Sequence, residues 1–245
     1  MAFQTELSQP MVTWNPVTGC TKISAGCAHC YAERYALRLQ QIGQPRYRNG
    51  FRLTLQEDLV ELPLTWKRPH SVFTASMSDL FHEDMPLDYL KRVFETMVKA
   101  HWHTFHVLTK RADRLAAVCN ELPWPGNVAM GVTVEREDCV WRIDELRRVP
   151  ACTRFLSLEP LLGPLPELDL RGIGRVLVGA ESGPGARPMD PEWVWDVRRQ
   201  CLGAGVEFCL KPRGGLSRGS RIGGRGKSRA RNGLSLQLSL PLVEA

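Results

Sequence analysis

Phe105-His106-Val107-Leu108-Thr109-Lys110-Arg111, then residues 112–119, then Val128-Ala129-Met130-Gly131-Val132-Thr133-Val134-Glu135: this stretch decides the fold. Its two ends are short apolar runs, each closed by charged residues. Its middle is rich in Ala, Leu and Arg, which favour helix. Strand, helix and strand with no hairpin signal predict a parallel pair joined by a right-handed crossover. The same rhythm extends both ways. Upstream, strands are expected at 12–14 and 71–75 and helices at 32–41 and 87–100. Downstream, helices are expected at 136–148 and 191–202, the latter ended by Gly203, and strands at 154–158, 175–179 and 206–210. The fold class is therefore α/β. A (β/α) barrel, partial or open, is favoured, and a doubly wound open sheet gives the same alternation. The continuous apolar runs predict strands buried on both faces.

Asp79, Lys110, Glu135, Glu159, Glu181 and Lys211 each stand at or just past the C-terminal end of an expected strand. In a β/α barrel those ends share one mouth, where active sites sit. The loop after the first strand opens there too. It reads Cys20-Thr21-Lys22-Ile23-Ser24-Ala25-Gly26-Cys27-Ala28-His29-Cys30-Tyr31, with cysteines spaced C-x6-C-x2-C.

Three thiols are one short of a closed tetrahedral metal site. One alternative is zinc, with His29 as fourth donor, although His29 lies inside the C-x-x-C bite. The other is a 4Fe-4S cluster, which three thiolates leave with one iron free to bind a small molecule. Cys119, Cys139, Cys152, Cys201 and Cys209 are scattered singly beside apolar residues and read as small buried hydrophobes.

A chain of 245 residues with 43% hydrophobic content can fill one barrel core. It contains no apolar run of the length a membrane helix needs. Its first residues lack the charged and apolar regions of a signal peptide. The expectation is a cytoplasmic protein with no membrane partner, whose eight cysteines serve as thiols and ligands rather than disulfides. The net charge of +6 is local: Lys211, Arg213, Arg218, Arg221, Arg225, Lys227, Arg229 and Arg231 leave the rest of the chain net negative. The expected organisation is a barrel domain over 1–211 and a basic, Gly/Arg/Ser-rich tail over 212–245, disordered or diverged. Within the tail, Leu234-Ser235-Leu236-Gln237-Leu238-Ser239-Leu240 alternates like an edge strand. Nucleic-acid binding by the tail is the functional alternative to a solvated segment.

Gly26-Cys27-Ala28-His29-Cys30-Tyr31-Ala32, Ser78-Asp79 and Leu108-Thr109-Lys110-Arg111 resemble the spore photoproduct lyase branch of the radical S-adenosylmethionine superfamily. The usual cysteine spacing there is C-x3-C-x2-C, so this chain departs from it. A closer resemblance is to a phage-associated three-cysteine-motif family of uncharacterised activity. It rests on Thr13-Trp14-Asn15-Pro16-Val17-Thr18-Gly19-Cys20, Tyr47-Arg48-Asn49-Gly50-Phe51, Ser76-Met77-Ser78-Asp79-Leu80-Phe81-His82, Leu158-Glu159-Pro160-Leu161-Leu162-Gly163-Pro164 and Glu181-Ser182-Gly183-Pro184-Gly185-Ala186-Arg187-Pro188-Met189.

These resemblances imply a TIM-like barrel of the radical S-adenosylmethionine type. They imply a 4Fe-4S cluster on Cys20, Cys27 and Cys30, S-adenosylmethionine as second cofactor, an electron-donor protein and an unknown substrate. Asp79 is then expected to meet the cofactor's amino group, with Ser76 and Ser78 adding hydrogen bonds; helix capping is the plainer role for Asp79. Lys110 is expected to meet the cofactor carboxylate or a substrate anion, or to pair with Glu83 or Glu135. Glu159 and Glu181 are candidates for ribose hydroxyls or substrate. Trp14, Asn15, His82 and Ser182 complete the candidate substrate set, with core packing the alternative for Trp14 and an exposed loop the alternative for His82. A nucleic-acid substrate follows only from analogy to the photoproduct lyase branch. A reading from a different class is a non-catalytic zinc or iron–sulfur interaction protein of phage or anti-phage systems.

Overall fold

The computed structural model describes residues 11–211; the basic tail and its alternating leucines lie outside the described residues. Seven strands form one parallel sheet: β1 (Val12–Trp14), β4 (Ser71–Thr74), β5 (Thr104–Thr109), β6 (Val128–Thr133), β7 (Thr153–Leu158), β8 (Arg175–Val178) and β9 (Glu207–Leu210). Between β1 and β4 lie two short strands, β2 (Val17–Thr18) and β3 (Thr54–Leu55), which pair antiparallel with each other. The spatial order of the seven follows the chain order throughout. A doubly wound sheet must reverse its order at a switch point, so that alternative falls. Among the described residues β1 and β9 do not pair, so the sheet keeps two open edges.

Five helices accompany the strands: α1 (Tyr31–Gln41), α2 (Leu87–Lys99), α3 (Ala112–Val118), α4 (Arg142–Arg147) and α5 (Pro191–Ala204). Leu90, Val93, Phe94 and Met97 recur at helical spacing on α2 and are wholly buried. Burying each stabilises the fold by about 1.5–3 kcal/mol. At the start of α5, the Asp190 side chain accepts a hydrogen bond from Glu192 N, and Pro191 fits the first turn. Gly203 does not end α5: it lies in the last turn, and Gly205 stops the helix with φ of 67°.

Two expectations change. The helix expected over 136–148 is cut to α4, after an extended Arg136 and a short turn over Glu137–Cys139. The cause is Glu135, whose carboxylate accepts from Arg142 Nη1 at 2.7 Å, so the chain must loop out before Arg142 can return. The sheet is buried on both faces only at its centre, where every residue of β6 and residues 155–158 of β7 are buried. Val72, Val107, Val132, Val176 and Val178 belong to the core shared with Leu90, Leu115 and Val197 of the helices. Phe73, His106, Leu108 and Leu177, on the alternate positions, are only half-buried. When strand order never reverses, right-handed crossovers all fall on one side, and the other face receives no helix layer.

Cys119, Cys139 and Cys201 are buried as expected, but Cys152 is exposed and Cys209 half-buried. Cys152 sits in the turn entering β7, and Cys209 is on the helix-free face of edge strand β9.

Candidate metal centre

Cys20, Cys27 and Cys30 are free thiols, all partly exposed. The chain approaches Cys20 through a parallel bridge between Gly19 and Ser78, and Cys20 N donates to Phe51 O. Cys27 closes the short turn Ala25–Cys27, its N–H donating to Ser24 O, and Cys30 immediately precedes α1.

The six residues between Cys20 and Cys27 are the anchor of the loop. Thr21 Oγ1 donates to Glu83 Oε1 at 3.0 Å and accepts from Arg111 Nη2 at 2.6 Å. His82 Nε2 lies 2.9 Å from the same hydroxyl. Ser24 Oγ donates to Glu135 Oε1. Ala25 O accepts from Arg187 Nη2 at 2.9 Å. Beyond Cys27, His29 Nδ1 and Glu181 Oε2 are 3.0 Å apart, and Tyr31 Oη donates to Ser76 O at 2.6 Å. The segments that follow β4, β5, β6 and β8 therefore all reach this one loop. Gly26 has a steric reason: a methyl there would overlap the Glu135 carboxylate.

Three of the six strand-end charges, Asp79, Glu135 and Glu181, are thus spent on holding the loop. Asp79 is nearly buried and accepts from Thr109 Oγ1, Phe81 N, Lys110 N and Arg111 Nη1. These bonds hold the carboxylate within the turn after β4 and against Arg111. It caps a local turn through Phe81 N rather than α2. Glu135 is fully buried; burial alone would raise its pKa, but Lys110 and Arg142 hold it below the usual carboxylate range. Glu181 is held down at about 2 by its hydrogen bonds from Arg187, against the opposing effect of burial. Burial, reinforced by Asp79, pushes the Cys20 thiol up to about 11 in the metal-free protein, with Arg111 opposing.

The remaining candidates divide. Trp14 is wholly buried, packs its ring 5.6 Å from Phe105 and donates from Nε1 to Leu59 O. It is a core residue and does not line a cavity. Asn15 Oδ1 accepts from Ser76 Oγ and Met77 N, and Ser78 Oγ donates to Val17 O. These three side chains fasten β1 to the turn after β4. His82 is buried rather than exposed, accepts from Asp84 N at Nδ1, and is kept neutral by burial and by Arg111. Ser182 is exposed, and its carbonyl accepts from Arg34 Nη2.

Lys110 has no carboxylate within ion-pair distance among the described residues; its Nζ meets only Thr133 Oγ1, at 3.4 Å. Glu159 Oε2 accepts from Lys211 Nζ at 2.8 Å, but Glu159 Oε1 is buried with no hydrogen-bond partner. Sequence reasoning missed Arg111, Arg187 and Glu83 as site residues. For Arg111 the sequence does carry a signal, since it adjoins Lys110 at the end of β5.

Among the described residues, no three His, Cys, Asp or Glu side chains converge to hold one metal ion. His29 turns Nδ1 to Glu181 and keeps Nε2 free among the described residues, the carboxylate pairing that also orients histidine ligands of metals. A 4Fe-4S cluster is a larger body with its thiolates spread around it. Cys20, Cys27 and Cys30 offer three free, half-exposed thiols on one anchored loop, the donor type that such a cluster takes.

No curated protein matches the chain. Among solved structures it is similar to a spore photoproduct lyase mutant with bound AdoMet and dinucleoside spore photoproduct, at 11% identity and a TM-score of 0.44. That match covers 77% of this chain, which spans 60% of the lyase chain. A family described as a protein of unknown function, DUF5131, matches residues 4–237, and the chain belongs to that family.

Proposed function

We propose that the chain is a radical S-adenosylmethionine iron–sulfur enzyme of phage or bacterial origin, built on a partial β/α barrel and working in the cytoplasm. The observation that carries this reading is the set of three free thiols in one loop, fixed from the C-terminal ends of β4, β5, β6 and β8. Cys20, Cys27 and Cys30 would hold the cluster, which would pass one electron from an external reductant to S-adenosylmethionine for its reductive cleavage.

The chain's own residues provide the setting. Cys20, Cys27 and Cys30 hold the cluster. Lys110 acts on Glu135 through space without a direct ion pair among the described residues, which leaves its Nζ donors for a carboxylate of cofactor or substrate. Glu159 offers an unpaired buried oxygen, suited to a hydroxyl or amino donor. Phe73, Leu108 and Leu177 give the uncovered face of the sheet an apolar lining that excludes water from a bound substrate. Asp79, Glu135 and Glu181 keep the loop in place.

A non-catalytic metal-binding protein is the second reading. It is favoured by the commitment of Asp79, Glu135 and Glu181 to protein donors rather than to a vacant mouth. Anaerobic reconstitution with iron and sulfide, followed by S-adenosylmethionine and a strong reductant, separates the two. The enzyme reading expects 5′-deoxyadenosine from the native chain and none from Cys27→Ala. A cluster-loaded native chain that makes no 5′-deoxyadenosine supports the second reading.

A further inference from the structure

Arg111 is almost wholly buried, and its guanidinium has five N–H donors. Each finds an acceptor. Nε donates to Glu83 Oε2 at 2.8 Å. Nη1 donates to Asp79 Oδ2 at 3.4 Å and to Cys20 Sγ at 3.3 Å. Nη2 donates to Thr21 O at 3.2 Å and Thr21 Oγ1 at 2.6 Å. Four of the five bonds fix the fork in place, and the fifth reaches sulfur. The Asp79 end of the fork is itself pinned by Thr109 and by Lys110 N.

We infer that Arg111 is the positioning residue that sets the reduction potential of the three-cysteine centre, through its hydrogen bond to Cys20 Sγ. This inference rests on the iron–sulfur reading above. Hydrogen bonds to cluster sulfurs are a main determinant of cluster potential, and partners behind a ligand tune the metal it holds. A donor stabilises negative charge on sulfur, and the reduced cluster carries more of it. Arg111 therefore raises the potential of the centre. Of the other two ligand sulfurs, Cys27 Sγ has a longer contact, 3.6 Å, with Ser24 Oγ. The fork geometry also means that lysine is no substitute: a single ammonium cannot serve Glu83, Asp79, Thr21 and the sulfur together.

The test is a redox titration of the full-length chain after anaerobic reconstitution, followed by visible absorbance and electron paramagnetic resonance. The native chain is compared with Arg111→Lys, Arg111→Gln and Thr21→Val. Iron content and circular dichroism are recorded for each. The expected result is a midpoint shifted to more negative potential in both Arg111 variants, further in the glutamine variant. Thr21→Val keeps the guanidinium and loosens its fork at an exposed site, so a smaller shift of the same sign is expected even if the Arg111 variants do not fold. Arg136→Gln, which loses only an exposed pairing with Asp138, is the control and keeps the native midpoint. Native midpoints in folded, fully loaded Arg111 variants, or in Thr21→Val where those do not load, overturn the inference while leaving the iron–sulfur reading standing. A native chain that takes up no cluster overturns both.

Discussion

Ser24 and Glu135 are 111 residues apart in the chain, and the Ser24 hydroxyl donates to Glu135 Oε1. That bond ties the middle of the cysteine loop to the end of the central strand β6. Glu135 is itself immobile, since Arg142 Nη1 donates to both its Oε2 and to Thr133 O at 2.7 Å. The loop therefore rests on a buried, doubly fixed carboxylate.

Gly26 lies against that carboxylate. A Gly26→Ala methyl would overlap Glu135, which cannot retreat, so the loop must move instead. The expected outcome is a folded protein with reduced iron uptake, read as iron per chain after reconstitution. Ser24→Ala leaves the loop its shape but removes the bond, costing about 1–2 kcal/mol in chemical denaturation.

Asp79→Asn separates a structural carboxylate from one that only meets a cofactor. The buried Asp79 faces Arg111 and accepts from Thr109, Phe81 N and Lys110 N. Weakening one side of a buried ion pair costs roughly 3 kcal/mol. The metal-free variant is expected to lose stability on that scale, measured by urea unfolding. Unchanged stability of the metal-free variant would instead favour a role for Asp79 in meeting a cofactor's amino group.

His106 predicts a pH dependence away from the cysteine loop. It stands on the helix-free face of β5, 3.0 Å from Ser71 Oγ, and burial, helped by Arg175, pushes its imidazole down to about 4. Above its ordinary value of 6.5 the ring is neutral in both folded and unfolded chains. Between 6.5 and about 4 the unfolded chain takes up a proton that the folded chain refuses. Stability is therefore lost as pH falls through that window, by up to about 3 kcal/mol. Urea midpoints at a series of pH values are expected to show this fall, and His106→Gln is expected to flatten it.

The seven strands were legible because each is a short apolar run and six of them are followed by a charged residue; their order was not, since a barrel and a doubly wound sheet share the same alternation. That the segments after the strands meet the cysteine loop was legible from the same charges. What the charges do there was not, because their partners are remote in sequence: Asp79 meets Arg111 at a separation of 32, and Glu181 meets His29 at 152. A carboxylate at a strand end looks alike whether it awaits a ligand or clamps a loop. The six-residue gap between Cys20 and Cys27 was a departure from a familiar spacing when read alone. In the fold it carries Thr21, Ser24 and Ala25, each tied to a different part of the sheet. Trp14 was ambiguous because an aromatic residue that ends a strand can face either the core or the strand ends; only its bond to Leu59 O and its tilted contact with Phe105 decide for the core.

The central claim is that Cys20, Cys27 and Cys30 together hold one iron–sulfur cluster. Iron, acid-labile sulfide and zinc per chain, measured after anaerobic purification and reconstitution, test it most directly. The account predicts about four iron and four sulfide per chain, lost when any one of the three cysteines is replaced by alanine and kept in Cys152→Ala. One tightly bound zinc per chain without sulfide, or a native load in the three alanine variants, would contradict it.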